Sequence, residues 1–95
     1  MNTKLKHGYQ IIVLCRVGHS TAVKEIVGEQ LATAGLTLDE ISDQVDTYQR
    51  LARVVARVRC TITERSTLVG LVRRLEREPA VRSVRWENLS EKESS

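Results

Sequence analysis

The chain has 95 residues, 41% hydrophobic and 28% charged, which suits one small domain with a modest core and excludes a disordered tail. Phe is absent and aromatic residues make up 3%, so Val, Ile, Leu and Ala must build the core, and β-branching tilts them toward strands. The net charge of +3 is unevenly spread: residues 24–49 set one lysine against six carboxylates, and residues 50–86 set ten arginines against three.

Residues 1–8 are polar, end in Gly8 and read as a linker or stub. Ile11 to Cys15 is a continuous apolar run of strand length, and its lack of alternation predicts a central strand buried on both faces. Val17-Gly18-His19 then reads as a turn, with Ser20 as the N-cap of a helix over Thr21 to Ala34. Val23, Ile26, Val27, Leu31 and Ala34 fall at helical spacing, and Gly35 stands in the usual position to stop the helix.

Leu36 to Thr47 reads as a polar edge strand, with Asp43 between Ile41 and Val45. Leu51 to Ile62 alternates clearly: Val54, Ala56, Val58, Cys60 and Ile62 share one face, and Arg53, Val55, Arg57 and Arg59 share the other. A short turn at Tyr48 and Gln49 would pair Val45 with Ala52 and Ile41 with Ala56, setting Glu40 beside Arg57. Glu64 to Glu78 reads as a second helix capped by Thr63, with Leu68, Val72 and Leu75 as its stripe and Pro79 as its end. Val81 to Trp86 supplies the last strand, leaving a polar tail over 89–95.

The order strand, helix, strand, strand, helix, strand predicts an α+β, ferredoxin-like βαββαβ sandwich, one domain over 9–88. Two right-handed crossovers put both helices on one face of an antiparallel sheet ordered four, one, three, two. The other face is then uncovered, and aliphatic side chains of the first strand are expected to meet water there.

The chemistry narrows the function by exclusion. No apolar run approaches the ~20 residues that span a bilayer, so the chain reads as a soluble piece. Cys15 and Cys60 lie 45 positions apart without metal-ligand spacing, and read as small buried hydrophobes able to approach only from neighbouring strands. A heavy-metal carrier would place two thiols in the first loop, where this chain has Val17-Gly18-His19-Ser20. An RNA-binding sheet would present aromatic platforms, and the arginine-bearing third strand has none. The scattered acids Asp39, Glu40, Asp43 and Asp46 read as a charged edge that discourages aggregation rather than as a Mg²⁺ site. No nucleophile–base pair or phosphate loop is present, so the expectation is a non-enzyme with no cofactor, metal or nucleic acid. Gly18 is the suggestive residue, since a glycine between strand and helix lets backbone N–H groups approach a ligand.

The closing stretch Pro79-Ala80-Val81-Arg82-Ser83-Val84-Arg85-Trp86-Glu87 resembles the end of MgtC/SapB-family proteins. The likeness extends over residues 9–88, through Ile11–Cys15 and the second helix. It is to the family's C-terminal domain, which implies an ACT-like module on the cytoplasmic side of a bacterial inner-membrane protein. A hydrophobic multi-span region outside this sequence is implied to tether it. The family is associated with adaptation to low magnesium and with survival of intracellular pathogens in macrophages. None of this brings catalytic chemistry to the chain. ACT domains generally bind amino acids near the turn that Gly18 occupies, which implies ligand contacts at Gly18, His19 and Ser20. The acidic residue and proline that often precede that glycine are replaced here by Arg16-Val17. Such domains also pair through strands or helices, so the resemblance implies a homodimer or a docked protein partner. The combined expectation is a non-catalytic regulatory module acting by self-association or docking, with a small-ligand sensor at the Gly18 turn, or a basic nucleic-acid-binding module on the arginine-bearing strand, as the alternatives.

Overall fold

A computed structural model describes residues 5–89. Six elements follow in chain order: β1 (His7–Arg16), α1 (Ser20–Ala34), β2 (Thr37–Asp46), β3 (Leu51–Cys60), α2 (Arg65–Glu76) and β4 (Val81–Asn88). The four strands form one antiparallel sheet in the order β2-β3-β1-β4, and both helices cover the same face. The predicted βαββαβ sandwich is the observed one. The expected tail, residues 89–95, lies almost wholly outside the described residues.

β1 begins at His7, two residues before the reading from sequence, because His7 and Gly8 pair with Cys60 and Arg59. Its odd residues Tyr9, Ile11, Val13 and Cys15 point under the helices and are all but fully buried. They meet Ala52, Val54, Ala56, Val58 and Cys60 of β3, with Val23, Val27 and Leu31 of α1 and Leu68, Leu71 and Leu75 of α2 closing the core. These are the stripes that the helical and alternating spacings select. Ile62 is the exception: the chain leaves the sheet at Cys60, and Ile62 stands 67% exposed.

The element ends depart from the sequence reading in instructive ways. α1 stops as expected, with Gly35 in the left-handed region (φ 75°) and its N–H on the Ala32 carbonyl. Ser20 is not an N-cap but the first residue of α1. His19 precedes it, and no side chain caps the helix start. For α2 the cap lies two residues upstream of Thr63. The Thr61 N–H donates to Glu64 Oε1 at 2.8 Å, and the Glu64 N–H donates to Thr61 Oγ1 at 3.3 Å. That reciprocal pair is the Thr-x-x-Glu capping box, legible in Thr61-Ile62-Thr63-Glu64.

The β2–β3 hairpin keeps the expected register, Ile41 opposite Ala56 and Val45 opposite Ala52. Its turn lacks Gly and Asn, and Asp46 does their work: its Oδ1 accepts the N–H of Tyr48 and of Gln49. Arg50 then takes a left-handed φ of 54°, held by its carbonyl accepting the Val17 N–H at 3.1 Å. Farther along β2 the register shifts between Leu38 and Glu40. The extra residue, Asp39, is thereby turned to the opposite face from Asp43, although simple alternation would put the two together. Asp39 takes Arg59 at 2.9 Å, and Asp43 takes Lys24 of α1 at 3.2 Å.

Cys15 and Cys60 are free and buried. Both face the core from neighbouring strands, but Cys15 pairs with Ala52 and Cys60 with His7. Eight residues of strand separate them, roughly 27 Å at ~3.4 Å per residue, far beyond disulfide reach. Burial raises both thiol pKa values, helped by Asp43 at Cys15 and by Glu64 at Cys60. The folded state thus holds these protons more tightly than the unfolded chain. Their contribution to stability is full below the ordinary thiol value, about 8.5, and is lost as pH rises through the folded values. Urea unfolding in reductant should therefore show a fall in stability between pH 7 and pH 10, and the variant Cys15→Ala/Cys60→Ala should show a smaller fall.

Candidate functional site

The sheet face away from the helices is formed by side chains of opposite parity to the core. Cross-strand register orders them into rows running from β2 to β4. Nearest the start of β1 lie Glu40, Arg57, Gln10 and Glu87. Next come Ser42, Val55, Ile12 and Arg85, and then Gln44, Arg53, Leu14 and Ser83. The last row, at the end of β1, holds Asp46, Leu51 and Arg16.

The first row sets two carboxylates against one arginine. Arg57 reaches Glu40 at 3.7 Å, and Gln10 Nε2 donates to Glu87 Oε1 at 3.0 Å. Each of the two middle rows carries one arginine and no carboxylate, and the last sets Arg16 beside Asp46. Arg85, Arg53 and Arg16 occur one to a row, and none forms an ion pair among the described residues. Opposite charges therefore pair across the sheet at one end, and unpaired arginines lie beyond it.

The apolar centre of this face differs from the expectation of open aliphatic side chains. Ile12 is only 7% exposed, and Leu14 and Val55 are half-buried. Ile12 borders two shallow hollows, one of about 220 Å³ with Arg53, Arg57 and Val55, the other of about 240 Å³ with Leu14, Arg53 and Arg85. Long side chains with apolar stems and charged ends flank it on both sides, the arrangement by which arginine covers apolar surface while keeping its guanidinium wet. The face is an aliphatic strip sheathed in arginine, not a bare patch.

Aromatic platforms are absent from it among the described residues. Tyr9 lies under the helices, 2% exposed, against Trp86 at 5.7 Å between ring centres. Trp86 in turn carries the guanidinium of Arg65 at 5.5 Å from its ring centre.

Gly18, His19 and Ser20 lie together in the β1–α1 turn. Gly18 has φ +93° and nothing within 4 Å of where a Cβ would stand. The His19 N–H is spent on the Arg16 carbonyl at 3.1 Å, and His19 itself is exposed. None of the three lines the hollows described for this chain. No group of three or more His, Cys, Asp or Glu side chains able to hold a metal occurs among the described residues. No helix among them is long and apolar enough to cross a membrane.

A third hollow, of about 290 Å³, sits at the cationic end and is lined by Arg16, Val17, Gln49, Arg50, Leu51 and Arg82. Sequence reasoning located the basic segment but not this convergence. Arg50 reaches it through a left-handed turn residue, and Arg82 through an irregularity in β4. The only advance signal was Asp46 at the head of a turn without glycine.

Comparison with known proteins covers nearly the whole domain. The family model described as the MGTC/SAPB C-terminal domain matches residues 9–86. Among solved structures, the C-terminal domain of the MgtC protein from Mycobacterium tuberculosis is similar with a TM-score of 0.76 at 23% identity, over 93% of this chain and 92% of that one. The ACT domain from GTP pyrophosphokinase of Chlorobium tepidum gives 0.65 at 10% identity, over 87% of this chain and 100% of that one. A homoserine dehydrogenase from Thiobacillus denitrificans also gives 0.65 at 10% identity, over 90% of this chain and 18% of that one. At these identities the likeness of the structures speaks for the fold. No match to the chain is found among curated proteins.

Proposed function

Given that this chain belongs to the MGTC/SAPB C-terminal domain family, we propose that it is a non-catalytic regulatory domain that docks a protein partner on its open sheet face. In this reading it works on the cytoplasmic side of a bacterial inner-membrane protein that serves adaptation to low magnesium and survival inside macrophages. The observation that carries the docking reading is the arginine-sheathed strip of Ile12, Leu14 and Val55. An apolar centre ringed by polar groups and enriched in arginine is the composition of a protein interface core and rim.

Charge decides which partner fits. A second copy laid face to face would bring Arg53 and Arg85 against their own equivalents, which costs energy in a desolvated contact. The acidic edge of β2 likewise opposes pairing β2 with β2. A partner with carboxylates around an apolar contact satisfies both features. Self-association of the domain is therefore the weaker route.

A second reading rests on the uncapped start of α1. Without a side-chain cap, the first N–H groups of the helix beside Gly18 remain available to a small anionic group such as an amino-acid carboxylate. In this reading Gly18, His19 and Ser20 form the contact, and titrating amino acids should move their amide resonances alone.

The docking reading is tested in a strain lacking the full-length protein and grown at limiting magnesium. Full-length protein carrying Leu14→Glu/Val55→Glu should fail to restore growth at normal protein levels, while Ile62→Glu, at an exposed apolar site off this face, should restore it. Full rescue by the open-face variant would contradict the reading. Sedimentation of the domain should give a monomer, and a tight dimer lost in the same variant would move the function to self-association.

A further inference from the structure

The hollow at the end of β1 gathers three guanidinium groups by three separate devices. Arg16 is the last residue of β1 and belongs to the open face by alternation. Arg50 is brought in by the left-handed residue of the hairpin turn, a conformation that a side chain other than glycine rarely adopts. Arg82 is the extra residue where β4 slips register against β1: Ser83 pairs with Leu14 and Val81 with Cys15, leaving Arg82 without a partner position. Bulges of this kind re-aim a side chain. Two backbone irregularities in adjacent segments therefore deliver arginines to the same place.

No carboxylate lines the hollow, and none of the three forms an ion pair among the described residues. Asp46, the acid of the adjoining turn, is committed to the Tyr48 and Gln49 amides. Val17 and Leu51 provide apolar wall, where charge–charge attraction is less screened than in open water. Three like charges around one small concavity repel until an anion enters. Planar guanidinium donors match the tetrahedral oxygens of a phosphoryl group, which accept paired hydrogen bonds.

We infer that Arg16, Arg50 and Arg82 form a binding site for a phosphoryl group, supplied either by a free phosphorylated molecule or by a lipid headgroup. The site stands apart from the central strip, so it does not depend on the docking reading. It adjoins the Gly18 turn through Val17, although none of Gly18, His19 and Ser20 lines it.

The test is a titration of the ¹⁵N-labelled protein with inorganic pyrophosphate, against sodium chloride at matched ionic strength. Saturable amide shifts are expected at Val17, Gln49, Arg50, Leu51 and Arg82, and not with chloride. Arg82→Gln and Arg50→Gly should each weaken binding about tenfold, the scale of one lost charge-assisted hydrogen bond. Arg50→Gly is a safe variant, because glycine is at ease at a left-handed position. Arg59→Gln, at the far end and paired with Asp39, should change nothing. Flotation with phosphatidylglycerol vesicles distinguishes the source. Binding that is lost in both site variants identifies a headgroup. Pyrophosphate binding with no vesicle binding identifies a free phosphorylated ligand. No saturable shift, or shifts indifferent to Arg50→Gly and Arg82→Gln, would overturn the site.

Discussion

Strand β1 has to lose water on both of its faces, and the rest of the domain is arranged around that constraint. One face is met in the ordinary way, by Tyr9, Ile11, Val13 and Cys15 packing under two helices. The other carries Ile12 and Leu14 toward the side that neither α1 nor α2 covers. Pairing β1 with β3 on one side and β4 on the other keeps it central and brings long side chains alongside. Arg53 and Arg57 come from β3, and Arg85 comes from β4. Their stems are long enough to cover Ile12 while their charged ends stay in water, so one set of residues can both complete the core and set the charge of the surface.

That double duty links fold to function. A helix over the second face would have buried Ile12 as well, but left no surface for a partner. Arginine covers it reversibly, since a flexible stem can be displaced by a side chain that offers carboxylates for the guanidinium and apolar atoms for Ile12. The uneven charge gives the face direction: net acidic where Glu40 and Glu87 meet Arg57 and Gln10, and cationic toward Arg16, Arg50 and Arg82. Whatever approaches is oriented before contact, because unpaired charges act over a Debye length of about 8 Å at physiological salt.

Much of this was legible in the residues. The uninterrupted Ile11–Cys15 run predicted the central strand, and alternation in β3 predicted which residues face the helices. Parity together with the Glu40–Arg57 pairing predicted the hairpin register. What escaped were the places where the backbone breaks its own period. Asp39 changes faces at a bulge, Arg82 is inserted by another, and Arg50 is tipped into the left-handed region by a turn that Asp46 organises. Such irregularities are set by strand pairing over distance, and a local reading of spacing does not contain them. The expected bare aliphatic face failed for a related reason, because a pattern of apolar and polar residues treats arginine as polar although most of its length is hydrocarbon.

Arginine stems, if they seal the second face of β1, must contribute to stability. Urea unfolding of Arg53→Ser/Arg85→Ser beside Arg53→Lys/Arg85→Lys tests it most directly. Lysine keeps a long apolar stem and serine keeps none. The account predicts that the lysine pair stays close to the parent and that the serine pair loses about 1–2 kcal/mol, the worth of some tens of Å² of apolar surface per stem. A serine pair as stable as the parent would mean that the stems seal nothing and would contradict it.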